Sequence, residues 1–177
     1  MSGHNKWSKI KHKKAASDAK KSQEFSKLMK LVTSEAKKSG GNRESPSLKA
    51  TIEKAKKANV PKENIERAIK KAEDQGSNLE AITYESYGPG GSAIIIEALT
   101  DNRNKAAAEI KHILSKHGYS LASPGSATWA FGKDITENLW QATSKIKLSE
   151  GDDEKLSDLV SDLEDNDEVQ EVFTNAE

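Results

Sequence analysis

The residues best suited to chemistry stand at the start of the chain. Met1 to Lys14 reads MSGHNKWSKIKHKK and holds Lys6, Lys9, Lys11, Lys13, Lys14, two histidines and no acid. Ammonium groups neutralise phosphates, and the indole of Trp7 is suited to stacking on a base. Only Trp7 and Ile10 are large and apolar here, so the segment has no face to bury. It is expected to be a flexible basic arm that orders on a nucleic acid. Without Met1, Ser2-Gly3-His4 would present a free amine with histidine third, a square-planar ligand set for Cu(II) or Ni(II). The lysines and the indole explain the segment better, and no metal is assigned.

Other chemistries fail on residue type or spacing. The chain has no cysteine, which excludes disulfides and thiolate sites. It has no nucleophile elbow, no HExxH and no phosphate loop ending in Gly-Lys-Ser/Thr. Gly88-Pro89-Gly90-Gly91 opens the apolar run AIIIEAL instead of a helix, so it reads as a hairpin turn. His112 and His117 are five apart, off the spacing of one helix face, and make a poor metal pair. The acids near the C-terminus are spaced as a surface. No enzymatic activity and no cofactor are expected.

The elements that position these residues follow from hydropathy periodicity. Phe25, Leu28, Met29, Val32 and Ala36 form one face of a helix over about 22–39, with Lys20, Lys27, Lys30, Lys37 and Lys38 opposite and Gly40-Gly41 as the stop. A second helix starts at Ser45-Pro46 and turns Leu48, Ile52 and Ala55 inward. A third follows Val60-Pro61, buries Ile65, Ala68, Ile69 and Ala72, and ends near Gly76. Asn59-Val60-Pro61-Lys62 would suit a helix-turn-helix, but ENIERAIKKAED is a poor base reader, so phosphate positioning is the better expectation. Strands are expected at 81–87, 92–99, 127–131, 139–148 and in EVQEVF. Helices run from Thr100-Asp101 to His117, with Ala107, Ile110, Ile113 and Leu114 inward, and over about 152–165. The fold class is therefore α+β: a basic arm (1–21), a three-helix domain (22–78) and a ferredoxin-like ββαββαβ domain (79–177) with a mainly antiparallel sheet and two helices on one face.

Charge sharpens this division. The chain of 177 residues has 28 basic and 28 acidic side chains, a formal net charge of zero. Residues 1–76 nevertheless carry 20 basic and 9 acidic groups, and 77–177 carry 8 and 19. The first part attracts polyanions and the second repels them. Eleven of those acids fall in 150–171, a face expected to solubilise the domain, to contact a basic protein, or to shield the basic domain when no nucleic acid is bound. Leu, Ile, Val and Phe make up only 32 residues, no apolar run approaches a membrane span, and the first residues lack the apolar stretch of a signal peptide. A cytoplasmic monomer is expected.

GHNKWSKIKHKKAASDAKK, PKENIERAIKKAE, YESYGPGG, TDNRNKAAAEIKHILSKHG and EVQEVFTNAE together resemble the YebC/PmpR family over nearly the whole chain. Bacterial members are described as DNA-binding transcriptional regulators. Others, including a mitochondrial translational activator, act on the ribosome and help it through stretches such as consecutive prolines. The resemblance implies nucleic-acid-binding roles for Gly3, His4, Asn5, Lys6, Trp7, Lys9, Lys11 and Lys13 and for the lysines of the first domain. To these the reading of the residues adds Lys14, Lys20, Lys27 and Lys30. Tyr87, Gly88, Pro89, Gly90 and Gly91, with Asp101, Asn102 and Arg103, also match the family pattern and are expected to form a second surface. Family members usually carry a third domain inserted in the second. Here Trp129-Ala130-Phe131-Gly132-Lys133 leads within a few residues into NLWQATSKIKL, so that domain is expected to be absent near 133–138.

The leading functional expectation is a translation factor that binds ribosomal RNA, because an arm of Trp, His and Lys suits irregular RNA pockets. The alternatives are a DNA-binding transcriptional regulator and a protein-interaction module. Trp7→Ala is expected to weaken nucleic-acid binding by about 1–3 kcal/mol if the indole stacks on a base. A titration showing unchanged affinity returns Trp7 to an ordinary terminal residue.

Overall fold

A computed structural model describes residues 18–75, 78–134 and 139–177. The chain forms two compact units: one runs to Glu80 and includes Leu99–Asn102, and the other is built from Ala81–Ala98 and Arg103–Glu177. Among the described residues no helix is long and apolar enough to cross a membrane.

The first unit consists of α1 (Asp18–Lys38), α2 (Pro46–Lys57) and α3 (Lys62–Gln75). Helix α1 begins at Asp18, before the expected Ser22, because Asp-Ala-Lys-Lys holds no large apolar residue for periodicity to detect. Leu28, Val32 and Ala36 from α1, Leu48 and Ala55 from α2, and Ile65, Ala68, Ile69 and Ala72 from α3 form one buried core with Val60. Phe25, Met29 and Ile52 pack at its margin. The expected inward faces are thus the observed ones.

Backbone geometry ends α1 and α2 in the same way. The Gly41 N–H donates to the Ala36 carbonyl at 2.8 Å, and the Gly40 N–H to that of Lys37 at 3.2 Å. After α2, the Val60 N–H donates to Ala55 O at 3.1 Å and the Asn59 N–H to Lys56 O at 2.9 Å. Asn59 takes φ 61°, the left-handed position that closes such a helix end, and it carries Val60 into the core. The 59–62 connection is therefore a helix stop that aims Val60 inward.

In the second unit β1 (Glu80–Tyr87) and β2 (Ala93–Thr100) are joined by a one-turn 3-10 segment at Pro89–Gly91. Then come α4 (Arg103–Lys116), a 3-10 turn at Thr128–Ala130, β3 (Phe131–Asp134), β4 (Leu139–Ala142), α5 (Glu150–Glu164) and β5 (Val169–Thr174). The fold is α+β, and its second unit follows the expected order ββαββαβ. The strands form two sheets, β1-β2-β5 and β3-β4, with β2 and β5 antiparallel from Ile94 opposite Thr174 to Ala98 opposite Val169. One face of the larger sheet carries α4 and α5: Ile94, Ile96, Ala98, Val169 and Val172 meet Ile110, Leu114, Leu156, Leu159, Val160 and Leu163. On the other face Ala93 and Ile95 meet Ala127, Ala130 and Phe131, with Trp140 and Phe173 alongside. This second cover explains why Ile94, Ile95 and Ile96 are all fully buried in succession. Each such side chain contributes about 1.5–3 kcal/mol relative to exposure.

Three local expectations need correction. Residues 127–130 form a turn, not a strand: the Ala130 N–H donates to Ala127 O at 3.2 Å, so both alanines face the core three residues apart. The expected strand 139–148 stops at Ala142, because the Thr143 and Ser144 N–H groups both turn to Ala130 O; only Ile146 bridges onward, to Ala176. On α4 the inward alanine is Ala106, in line with Ile110 and Leu114, while Ala107 is half-buried.

Helices α4 and α5 are also tied at one end. His117 Nε2 lies 2.8 Å from Asp162 Oδ2, and Lys116 Nζ lies 3.4 Å from the same oxygen. The hydrogen bond from His117, then Lys116, holds the Asp162 carboxyl below its ordinary 3.8, against a partial burial that would raise it. A depressed carboxylate contributes stability above its unfolded value and loses it as pH falls through the folded one. The stability difference between the wild type and Asp162→Asn should therefore be full above about pH 4 and close on further acidification. Urea unfolding at stepped pH checks this; a difference independent of pH would remove Asp162 from the acid response.

Candidate nucleic-acid interface

Arm residues Gly3, His4, Asn5, Lys6, Trp7, Lys9, Lys11, Lys13 and Lys14 lie outside the described residues. Lys20, Lys27 and Lys30 stand on α1, Lys20 exposed and the other two half-buried, and all three have interaction partners. Several cations of this unit are already engaged. Arg43 makes a two-pronged contact with Glu66 at 2.8 and 2.5 Å, which holds the Glu66 carboxyl below its ordinary value. Lys38 pairs with Glu35 at 2.7 Å and Lys56 with Glu53 at 3.2 Å.

Lys54 and Lys57 on α2, and Arg67, Lys70 and Lys71 on α3, are exposed and carry no ion pair among the described residues. The lysines in the last turn of α2 also complement its dipole, a structural reason for their presence. Arg67 and Lys70 line a shallow groove with Arg43, Glu66, Glu73 and Asp74, where the signs alternate. Most of this unit's exposed cations without an ion pair among the described residues are thus on α2 and α3, with Lys21 on α1. Lysine spacing alone directs attention to α1, because pairing partners cannot be seen in sequence.

The two segments of the expected second surface are separated. Tyr87 to Gly91 precede β2 and Asp101 to Arg103 follow it, so about 25 Å of extended strand lies between them. The Gly-Pro-Gly-Gly turn is built for packing. A Cβ on Gly90, at φ 65°, would lie 2.6 Å from Leu148 Cδ2, and one on Gly88 would lie 2.7 Å from Ile94 Cδ1. Asp101, Asn102 and Arg103 are exposed, with the Asn102 N–H donating to Thr100 Oγ1 at 2.9 Å. Neither His112 nor His117 belongs to a metal-binding group among the described residues, and His117 faces Asp162.

One arrangement was invisible in the sequence. Glu85, buried in β1, accepts from the backbone N–H groups of Gly125 (2.7 Å), Ala127 (2.7 Å) and Thr128 (3.0 Å). Its own carbonyl accepts from the Ala122 N–H at 2.8 Å. Two residues on, the Tyr87 hydroxyl donates to Ser126 O and accepts from Trp129 Nε1–H at 2.8 Å. Strand β1 thus holds the 122–129 turn from within. Nearby, Glu97 Oε1 accepts from Trp140 Nε1–H at 2.6 Å and from Thr83 Oγ1–H at 3.0 Å, and Lys133 Nζ lies 5.2 Å from the centre of the Trp140 ring.

Family models match both units: the TACO1/YebC protein N-terminal domain over residues 5–75, and the TACO1/YebC second and third domain over 79–134. The chain belongs to the TACO1/YebC family. A relative from Fervidobacterium nodosum, named as a probable transcriptional regulatory protein, is 40% identical over 99% of this chain and 93% of its own. Another of that name, from Desulfosudis oleivorans, is 43% identical over the whole chain and 72% of its own. The crystal structure of a conserved hypothetical protein, Aq1575 from Aquifex aeolicus, matches with a TM-score of 0.84 at 33% identity, over 98% of this chain and 97% of that one. The alignment to the Fervidobacterium protein spans 235 positions, more than the 177 residues here, so that TACO1/YebC member has stretches with no counterpart in this chain.

Removing the Glu85 carboxylate leaves three backbone donors without their acceptor. Glu85→Ala should destabilise the second unit by on the order of 3 kcal/mol. Denaturant unfolding measures the loss, and a change under about 0.5 kcal/mol, the size of an ordinary surface substitution, would show that the turn holds without Glu85.

Proposed function

We propose that this TACO1/YebC member is a non-enzymatic, nucleic-acid-binding regulator of gene expression that acts on the ribosome. It holds ribosomal RNA through its arm and helical unit and eases stalled elongation, for example at consecutive prolines. The observation that carries this reading is the set of exposed cations Lys54, Lys57, Arg67, Lys70 and Lys71, without an ion pair among the described residues, in the part of the chain that has 20 basic and 9 acidic groups. An arm that combines an indole with lysines suits an irregular RNA pocket better than a regular groove.

In this reading residues 1–21 are the arm, 22–78 the RNA-binding domain and 79–177 an acidic domain. The last is a short form that passes from β3 to β4 near 133–138 without an inserted third domain. Tyr87 to Gly91 and Asp101 to Arg103 then serve as two separate contacts. The protein works as a cytoplasmic monomer. The names of the relatives favour a second reading, a DNA-binding regulator of transcription.

Ribosome profiling of a deletion strain decides between them. Stalling at particular codons with unchanged mRNA levels is expected; altered promoter occupancy with unchanged dwell times would instead select the DNA reading. In vitro, affinity for RNA should fall steeply with salt. Deleting residues 1–14, or changing Lys54, Lys57, Lys70 and Lys71 to Gln, should flatten the log–log slope by about 0.7 for each single-strand phosphate that is no longer neutralised.

A further inference from the structure

We propose that the indole of Trp129 is a stacking platform for an unpaired base of RNA, a second nucleic-acid contact carried by the acidic unit. The proposal rests on the reading of the chain as an RNA-binding regulator and adds a site outside the arm and the helical domain.

Trp129 is 61% exposed and is the one large hydrophobic residue exposed among the described residues. Its ring is also held in place. The indole N–H donates to the Tyr87 hydroxyl, which donates to Ser126 O, and the N–H groups of Ala127 and Thr128 are fixed by the buried Glu85 carboxylate. A large aromatic face in water is costly, and one fixed in advance binds without the entropy loss of ordering it.

Its surroundings indicate the kind of ligand. The Thr143 and Ser144 N–H groups donate to Ala130 O at 2.9 and 3.2 Å, which brings the segment leading to Lys145 beside the turn that carries Trp129. Lys145 and Lys147 are exposed on either side of half-buried Ile146, and Lys133 is exposed on β3. Residues 118–149 hold these three lysines and two acids, whereas 150–171 hold one lysine and eleven acids. This is the part of the acidic unit where a phosphate chain meets the least repulsion. A protein partner would call for a contiguous apolar patch. A lone π face in a stretch that also carries exposed Lys145 and Lys147 matches a base instead, and the base must be free of a duplex to present its own face.

The test uses the full chain and a fluorescein-labelled single-stranded RNA of mixed sequence, titrated at several salt concentrations. Trp129→Ala should lose about tenfold to a hundredfold in affinity at every salt concentration, with the salt slope unchanged, because stacking releases no counterions. Trp129→Phe should retain most of the affinity. Tyr87→Phe, which removes the hydroxyl that holds the indole, should lose part of it at a urea concentration where the second unit stays folded. If the wild type binds with a steep salt slope and Trp129→Ala binds equally well, the platform is overturned, the RNA reading stands, and the indole is left for a protein partner. If the wild type does not bind RNA even at low salt, both fall.

Discussion

A single buried carboxylate organises one face of the second unit. Glu85 gives its two oxygens to three backbone N–H groups, those of Gly125, Ala127 and Thr128. Hydrogen bonds to an ionised acceptor are about twice as strong as neutral ones, and a buried carboxylate left unsatisfied would be prohibitive. The 122–129 turn is therefore confined to one conformation against β1. From it follow the placement of Ala127 and Ala130 on Ile95, the start of β3 at Phe131, and the bond that the Trp129 indole donates to Tyr87, which sets the ring. The β3-β4 hairpin can cover the sheet because the turn before it is fixed.

The two units use charge in opposite ways. In the first, apolar side chains converge on a core in which alanines (Ala36, Ala55, Ala68, Ala72) alternate with larger aliphatic residues, and exposed lysine and arginine stand on the outer faces of α2 and α3. In the second, acids concentrate on α5 and the segment after it, while the 118–149 stretch is near balance. Opposite potentials on one chain limit which surfaces a polyanion can approach and help to fix its orientation on arrival.

The helices were legible because each buries one stripe at helical spacing, as Leu28, Val32 and Ala36 do, and because glycine marks where two of them stop. Asn59 makes the same left-handed stop, but asparagine in a polar stretch does not announce it. The strand order of the second unit was also readable, since AIIIEAL can only be a buried strand at that length. What escaped were features that depend on distant backbone. Glu85 in YESY resembles any polar strand residue, and nothing local shows that its partners are amide groups forty positions on. ATWAF alternates like a strand, yet its alanines face the same core through a tight turn. The division of one expected sheet into two has the same origin: the cover for Ile95 comes from a hairpin whose position is set by that distant contact.

The pairing of β2 with β5 has a consequence for how the molecule comes into being. Ile94 meets Thr174 across the sheet, so a central strand waits for partners eighty positions later in the chain. During synthesis the three-helix unit, whose contacts are more local, can settle while β2 still shows an open edge and uncovered isoleucines. Such an edge is an aggregation hazard until β5 arrives. Truncation or slowed translation within the last stretch should therefore expose AIIIEAL to chaperones while leaving the helical unit folded.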